Sequence, residues 1–196
     1  AMSQSSHPPF EVLLSRDELL RKTAELGREI CASYPDPGEL VVVSIIEGAR
    51  VFCRELMRHL PAGLPVHEIR ASSYGTGTVS AGRVEVSGGD GIDCVGRTVL
   101  LVEDIVDTGR TIDRLRRHFL GQGATRVAVV TLLTKPSRRE VDVAIEHQGF
   151  AIDDHFVIGF GMDVAGRYRE LPEIVLFDGA VEAEFLGGSM RVAEGL

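Results

Sequence analysis

The sequence predicts an α/β domain built on a mainly parallel, twisted sheet with helices on both faces. The chain has 196 residues, a length that suits one domain. Its hydrophobic segments are short, nearly continuous runs of β-branched residues, which are typical of strands buried on both faces. Segments with apolar residues at helical spacing separate these runs, as parallel strands joined by crossover helices require.

Capping signals and helix-breaking residues set the limits of the predicted elements. Ser15 and Glu18 form a capping box before a helix whose apolar side chains recur at helical spacing. Pro61 stops the second helix, because proline lacks the N–H that a helix interior requires. The predicted elements in chain order are a helix over 16–32, a strand over 40–46, a helix over 48–60, strands over 66–71, 83–86 and 98–102, a helix over 111–120, and strands over 127–133, 156–160 and 174–177.

Residues 72–82, with the sequence SSYGTGTVSAG, interrupt this pattern. The stretch is rich in Gly, Ser and Thr, which favour turns and loops over regular structure. We therefore expect a mobile loop between the strands at 66–71 and 83–86.

The segment 99–111, VLLVEDIVDTGRT, carries the strongest chemical signal. An apolar strand ends in Glu103 and Asp104, and a short loop then leads into a helix. Ligands of open parallel sheets bind at the carboxyl ends of the strands, and the free N–H groups at a helix start attract phosphate. Thr108 and Thr111 add hydroxyl donors, and Gly109 allows close approach of the backbone. Since the two acids repel phosphate, we expect them to face ribose hydroxyls or magnesium, so the segment predicts a site for a ribose 5-phosphate.

Composition and charge narrow the possible partners. The net charge of -8 disfavours non-specific binding to nucleic acid, which requires basic patches. No apolar run approaches the ~20 residues of a membrane-spanning helix, and residues 1–10 lack the pattern of a secretory signal. Cys31, Cys53 and Cys94 are too widely spaced to suggest a disulfide framework or a thiolate zinc site. We therefore expect a cytoplasmic protein with no nucleic-acid or membrane partner.

The segment EDIVDTGRT closely resembles the phosphoribosyl-diphosphate-binding motif of the type I phosphoribosyltransferases. Three further segments are similar to the hypoxanthine-guanine branch of that family: SSYGTGT at 72–78, KPSRREV at 135–141, and the stretch 149–171 with FVIGFGMD and YREL. The resemblance extends from about residue 10 to residue 177. It implies a domain over 10–178 with terminal extensions at 1–9 and 179–196, and the family fold, in which the chain ends form a small hood.

The resemblance implies a pentosyltransferase of purine salvage, which joins the 5-phosphoribosyl group of phosphoribosyl diphosphate to hypoxanthine or guanine. The products would be IMP or GMP and pyrophosphate, with Mg²⁺ as cofactor and a homodimer or homotetramer as the assembly. The positions that match donor- or nucleotide-binding residues are Glu47, Gly48, Ser73, Tyr74, Glu103, Asp104, Ile105, Asp107, Thr108, Gly109, Arg110, Thr111 and Arg169. The positions that match purine-binding residues are Lys135, Phe156, Val157 and Asp163, and those that match magnesium ligands are Glu103, Asp104 and Asp163.

Individual roles follow from the same resemblance. Asp107 matches the acceptor of the purine proton, Phe156 the aromatic ring that stacks on the base, and Arg169 the arginine that holds pyrophosphate. Lys135 matches the donor to the purine 6-oxo group. A lysine ammonium can only donate hydrogen bonds, so it disfavours adenine, whose 6-amino group is also a donor. Tyr74 belongs to a loop expected to close over the reaction and exclude water. Residues 137–139 are expected to form a solvated turn beside the site.

Glu47 departs from the family pattern, which has a basic residue before the glycine at this position. The backbone of the loop can still bind pyrophosphate, often with a cis peptide in this family. A carboxylate at this point repels pyrophosphate unless magnesium, Arg50 or Arg169 intervenes, and it could instead bind a neighbouring subunit or water. The departure bears on affinity for the donor and leaves the reaction class unchanged.

Two alternatives remain open. Lys135 and Phe156 favour 6-oxopurines without excluding xanthine, so a xanthine-preferring phosphoribosyltransferase fits the same residues. A regulator that senses phosphoribosyl diphosphate and binds nucleic acid is disfavoured, because the chain is acidic and combines Asp107 with the base-pocket residues. The sequence assigns no role to the stretch 178–196.

Overall fold

The computed structural model describes residues 7–73, 84–89 and 91–193. In these ranges the strands are β1 (Glu11–Leu14), β2 (Leu40–Ile46), β3 (Val66–Ser73), β4 (Val84–Ser87), β5 (Thr98–Val106), β6 (Arg126–Thr134), β7 (His147–Ala151), β8 (Val157–Ile158) and β9 (Ile174–Leu176). The α-helices are α1 (Arg16–Ser33), α2 (Ala49–Met57), α3 (Arg110–Gly121) and α4 (Gly179–Ala193). Two single 3-10 turns lie at Pro37–Glu39 and Pro136–Arg138.

A six-stranded sheet with the order β4-β3-β2-β5-β6-β7 forms the centre of the molecule. Strands β3, β2, β5, β6 and β7 run parallel, and β4 pairs antiparallel with β3 at one edge. The predicted α/β fold with a mainly parallel sheet is therefore confirmed. Because the carboxyl ends of the parallel strands all lie on the same side of the sheet, the loops after β2, β5 and β6 meet there.

Two apolar layers cover the two faces of this sheet. Alternate residues of β2 point to opposite faces, so Val42 packs with α1 and α2 while Val41 and Val43 pack with α3. Phe52 of α2 and Phe119 of α3 are fully buried, one in each layer. Burial of one such side chain contributes about 1.5–3 kcal/mol, and the two layers together hold the strand ends rigidly in place.

A second sheet of three antiparallel strands, β1-β9-β8, forms the hood that the resemblance implies. Its own apolar cluster contains Phe10, Ile158, Tyr168, Leu171 and Val175. Helix α4 is tied to the hood, because the Tyr168 hydroxyl donates to Glu182 Oε1 over 2.6 Å. The stretch 179–193 is thus a helix with a polar anchor on the hood.

The structure confirms most predicted elements and corrects several boundaries. The Ser15 capping box is present at the start of α1. The second helix ends at Met57 and not at Leu60, because residues 58–60 make tighter bonds of the i to i−3 type before Pro61. The predicted strand over 98–102 continues to Val106, because its last residues still pair with β6.

Other differences concern short elements with weak signals. Strand β3 reaches Ser73, so the predicted loop at 72–82 starts two residues too early, and residues 74–82 lie outside the described ranges. Strand β4 covers 84–87, close to the predicted 83–86. The strand predicted over 156–160 is limited to Val157–Ile158, because Phe160 has a φ of 49°. Strands β1 and β7 and helix α4 were not predicted; the first two are short and lack a clear alternation.

None of the helices within 7–73, 84–89 and 91–193 combines the length and the hydropathy needed to cross a bilayer.

Candidate active site

Glu103 and Asp104 lie side by side near the carboxyl end of the central strand β5. Glu103 is only 8% exposed, and the Ile105 N–H donates to Asp104 Oδ1 over 2.9 Å. Burial raises the pKa of the Glu103 carboxyl well above its ordinary value, and repulsion from Asp104 raises it further. Burial also raises the pKa of Asp104. A cation beside this pair would relieve both effects.

The turn after β5 is held by hydrogen bonds to the segment that follows β6. Gly109 has a φ of 84° immediately before α3, a conformation that glycine adopts without strain. The Thr108 carbonyl oxygen accepts hydrogen bonds from the N–H groups of Glu140 and Val141, each 3.0 Å long. A Cβ on Gly109 would lie 2.6 Å from the Val141 carbonyl oxygen. The turn therefore fixes the first N–H groups of α3, which carry the positive end of the helix dipole.

A cavity of ≈ 300 Å³, here called the phosphate-side cavity, lies between this turn and the loop after β2. Gly48 packs directly on Asp104, since a Cβ there would overlap the Asp104 carboxylate. Only glycine allows that approach. The cavity is lined by Ile45, Ile46, Gly48, Ala71, Glu103, Asp104, Ile105, Val106, Asp107, Thr108, Gly109, Thr111 and Ile112.

A second cavity of ≈ 410 Å³, the base-side cavity, adjoins the first. It is lined by Glu47, Gly48, Asp104, Ile105, Asp107, Lys135, Phe156, Val157, Met162, Asp163 and Arg169. The two cavities share Gly48, Asp104, Ile105 and Asp107. A ligand with an anionic end and a flat polar end could therefore span both, with its middle beside Asp104 and Asp107.

Charged side chains form a chain of ion pairs along the base-side cavity. Lys135 is 8% exposed, and its Nζ lies 3.3 Å from Asp154 Oδ1. Arg138 Nε donates to Asp107 Oδ1 over 3.2 Å, and Arg138 Nη1 lies 3.6 Å from Asp154 Oδ2. Arg138, expected in a solvated turn beside the site, thus contacts the predicted proton acceptor itself.

Asp163 and Arg169 face the same cavity from the segment between β8 and β9. Arg169 Nη2 lies 2.8 Å from Asp163 Oδ1, and Arg169 Nη1 donates to the Gly161 carbonyl oxygen over 2.8 Å. Ala165 and Tyr168 have φ values of 50° and 72° in this segment. Non-glycine residues in left-handed conformations are characteristic of ligand-binding segments, where the surrounding structure holds them in place.

An exposed aromatic ring borders the base-side cavity. Phe156 is 56% exposed and packs edge to face on Phe177, with ring centroids 5.6 Å apart. Val157, the first residue of β8, is buried next to it. Because Phe156 packs edge to face on Phe177 and is largely exposed, a face of its ring can stack against a flat ligand.

The loop after β2 carries Glu47 beside Gly48, and the peptide bond between Ile46 and Glu47 is cis. Arg50 Nη1 donates to Glu47 Oε2 over 2.7 Å, and Arg70 Nη2 donates to Glu47 Oε1 over 2.5 Å. Arg50 also donates two hydrogen bonds to Glu68, of 2.9 and 2.8 Å. Of the groups that the sequence offered to offset the Glu47 carboxylate, Arg50 pairs with it, and Arg70 is a second partner that sequence reasoning missed.

The two cavities bring together most of the predicted site residues, namely Glu47, Gly48, Glu103, Asp104, Ile105, Asp107, Thr108, Gly109, Thr111, Lys135, Phe156, Val157, Asp163 and Arg169. Arg110 differs, because its side chain is engaged by Glu140, with Nε donating to Oε2 over 2.7 Å. Its backbone N–H lies in the turn and donates to Thr108 Oγ1 over 3.4 Å. Ser73 ends β3, and its side chain, like the whole of Tyr74, lies outside the described parts of the chain.

Sequence reasoning missed Arg70, Arg138, Asp154 and Met162. Asp154 stands two residues before the predicted stacking residue Phe156, and its charge could have indicated a partner for Lys135. Arg70 becomes a neighbour of the Glu47 loop only through the strand register, which pairs Ile46 with Arg70. The sequence alone does not supply that register.

Within the part of the chain that the structure describes, no group of three or more His, Cys, Asp or Glu side chains has the arrangement of a metal site. Mg²⁺ commonly binds through only one or two carboxylates and completes its shell with waters and substrate phosphates. The Glu103–Asp104 pair, in which Glu103 is buried and Asp104 is half-buried, fits that kind of site.

Comparisons with known proteins show what the chain is similar to. Residues 13–165 match the family model described as the phosphoribosyl transferase domain. The hypoxanthine phosphoribosyltransferase of Salmonella typhimurium is 41% identical over 86% of this chain and 97% of its own length. The hypoxanthine-guanine phosphoribosyltransferase of Bacillus subtilis is 38% identical over 89% of this chain and 97% of its own. A crystal structure of a Bacillus anthracis hypoxanthine-guanine phosphoribosyltransferase superposes with a TM-score of 0.80 at 36% identity, covering 86% of this chain and 98% of that one.

Proposed function

Because the chain belongs to the phosphoribosyltransferase family, we propose that it transfers the 5-phosphoribosyl group of phosphoribosyl diphosphate to hypoxanthine or guanine. The products are IMP or GMP and pyrophosphate, a reaction of purine salvage. One observation carries the proposal beyond family membership: the phosphate-side cavity, which the turn before α3 borders, and the base-side cavity share Asp104 and Asp107. The ribose of the donor belongs at that junction, because it is the part of the substrate that joins phosphate to base.

The 5-phosphate of the donor binds the turn at 108–111. The N–H groups at the start of α3 and the hydroxyls of Thr108 and Thr111 donate to its oxygens. No charged side chain is required, which agrees with the engagement of Arg110 by Glu140. These contacts fix the position of the donor before the reaction, so little translational and rotational freedom remains to be lost in the transition state.

The purine lies in the base-side cavity against the face of Phe156. Lys135 donates to its 6-oxo group; the ammonium has three donors, so it can keep Asp154 while binding the base. The backbone of Val157 meets the edge of the ring. A site built on these polar contacts rejects a ligand that leaves them unpaired.

Asp107, which we place near N7 of the purine, accepts the proton of the base as the other nitrogen of the five-membered ring attacks C1 of the ribose. The bond from C1 to pyrophosphate breaks as the new bond forms, and C1 carries positive charge in between. Asp107 lines both cavities, as this task requires. General base catalysis of this kind contributes about 10²- to 10⁴-fold in rate. Arg169, which lines the base-side cavity, binds the departing pyrophosphate.

Glu103 and Asp104 are the proposed holders of Mg²⁺, with Asp163 as a ligand of a second ion. Bound Mg²⁺ supplies positive charge that stabilises the leaving pyrophosphate. In addition, the carboxylates of Glu103 and Asp104 accept hydrogen bonds from the ribose hydroxyls and so orient the ribose. Ser73 and Tyr74 are proposed to belong to the loop that closes over the bound substrates.

The assembly and the compartment are further parts of the proposal. We expect a homodimer or homotetramer, which light scattering of the purified protein measures. We expect the reaction to take place in the cytoplasm, where the thiols of Cys31, Cys53 and Cys94 stay reduced.

A spectrophotometric assay tests the function. The purified chain is given phosphoribosyl diphosphate, Mg²⁺ and, in separate reactions, hypoxanthine, guanine, xanthine, adenine or uracil. Turnover of hypoxanthine and guanine, with little turnover of adenine and uracil, is the expected result. A clear preference for xanthine would move the assignment to the xanthine-preferring branch, and turnover of uracil alone, or of no base, would overturn the purine assignment.

A further inference from the structure

A negative side chain lines the same cavity as Arg169, the residue proposed to bind the pyrophosphate group of the donor. Glu47 lines the base-side cavity and precedes Gly48, which lines both cavities. Phosphoribosyl diphosphate carries several negative charges, and two like charges repel over the few ångströms that separate a ligand from the wall of its site. The loop therefore needs a device that cancels the Glu47 charge before the donor enters.

The structure contains such a device in a cluster of four charged side chains. Arg50 and Arg70 each bind one oxygen of the Glu47 carboxylate, at 2.7 and 2.5 Å. Arg50 is shared, because it also binds Glu68 at 2.8 Å. With both arginines the cluster of two cations and two anions is neutral, and without Arg70 it carries one net negative charge.

The fold explains why Arg70 reaches this loop. Strands β2 and β3 run parallel, and their register pairs Ile46 with Arg70, so the arginine stands beside the residue that precedes Glu47. The next residue of β3, Ala71, lines the phosphate-side cavity. Arg70 is thus held at the edge of the site by the sheet itself, although it comes from a different segment of the chain.

We propose that Arg70 is a positioning residue for donor binding: it neutralises Glu47 and holds that carboxylate away from the diphosphate group of the donor. The inference rests on the proposed function for the identity of the donor. Arg70 acts through Glu47, so its effect depends on the presence of the Glu47 charge. Arg50 is a less selective probe, because its removal also releases Glu68.

A double-mutant cycle tests this dependence. The variants are Arg70→Gln, Glu47→Gln, the two combined, and Arg70→Lys, which keeps the charge. Arg54→Gln is the matched control, since Arg54 is an exposed arginine of α2 that binds only its neighbour Glu55, at 3.5 Å, among the contacts of the described residues. Circular dichroism checks that each variant is folded, and steady-state assays give kcat and the KM for each substrate.

We expect Arg70→Gln to raise the KM for phosphoribosyl diphosphate about tenfold, the effect of one uncancelled charge at partly screened distances. The kcat and the KM for hypoxanthine should change by less than about twofold, because the interaction is lost equally from the bound and the transition state. In the Glu47→Gln background the same substitution should have little effect, and Arg70→Lys and Arg54→Gln should behave like the wild type.

Two results would overturn the inference. One is an unchanged KM for the donor in Arg70→Gln, and the other is an equal increase with and without the Glu47 charge, since additivity means that the two residues act independently. Calorimetric titration of the same variants with phosphoribosyl diphosphate and Mg²⁺ reads the coupling directly from Kd. It separates this inference from the proposed function, because donor affinity is measured even if no base is turned over.

Discussion

The two halves of the site are built in different ways. The phosphate side comes mainly from one continuous segment, in which strand β5, the Gly109 turn and the first turn of α3 follow one another. The base side is assembled from side chains of several distant segments, which are linked by ion pairs such as Lys135–Asp154 and Arg138–Asp107. The phosphate side thus depends on the local backbone geometry of one segment, and the base side depends on ion pairs between segments that the fold brings together. Substitutions in the two halves should therefore affect different kinetic constants.

Asp107 belongs to both halves, and its substitution should have the largest effect. Asp107→Asn keeps the shape but removes the proton acceptor, so we expect kcat to fall by about 10²- to 10⁴-fold. The KM for phosphoribosyl diphosphate should stay within about threefold of the wild-type value, because the turn keeps its backbone contacts. Asp113→Asn, a change on α3 that loses only a pair with Arg117, is the control. Wild-type turnover in Asp107→Asn would remove the proposed base.

Lys135→Met tests the base side alone. Loss of a charged donor to the 6-oxo group should lower kcat/KM for hypoxanthine by about 10- to 150-fold, corresponding to about 1.5–3 kcal/mol. The Kd for phosphoribosyl diphosphate, measured by titration without a purine, should not change. Lys22→Met, at the other lysine of the chain, serves as the control because Lys22 pairs with Glu25 on α1. An equal loss of donor affinity would contradict the division into two halves.

Gly109→Ala tests the phosphate side alone. An alanine at a φ of 84° costs about 1–2 kcal/mol, and its Cβ would lie 2.6 Å from the Val141 carbonyl oxygen. We expect the KM for phosphoribosyl diphosphate to rise by about 5- to 30-fold, with a smaller change for hypoxanthine. Gly121→Ala, where a Cβ has open space, is the matched control. If the purine KM rose more than the donor KM, the turn would not be the phosphate site.

Asp154→Asn should have the smallest effect of the series. The pair with Lys135 is half exposed on the aspartate side, and such pairs contribute about 0.2–1 kcal/mol. We therefore expect the KM for hypoxanthine to change by no more than about fivefold. A loss as large as that of Lys135→Met would mean that Asp154 itself contacts the base.

The same contrast explains what the sequence could and could not predict. Segment 99–111 reveals both its strand and its phosphate turn, because a local turn is encoded by consecutive residues such as Asp107, Thr108 and Gly109. The contacts of Arg70 and Arg138 were missed, since they depend on strand register and on the approach of distant segments. The pairs Glu47–Arg70 and Asp107–Arg138 are 23 and 31 residues apart in the chain. Helix α4 was missed for a different reason, because its apolar residues have no strong helical pattern.

A crystal structure of the full chain with IMP and Mg²⁺ tests the central claim most directly. The account predicts that the 5-phosphate lies on the N–H groups and hydroxyls of residues 108–111, with the Asp107 carboxylate within hydrogen-bond distance of a purine nitrogen, about 2.6–3.2 Å. A phosphate bound at another place, with Asp107 remote from the purine, would contradict both the site and the mechanism.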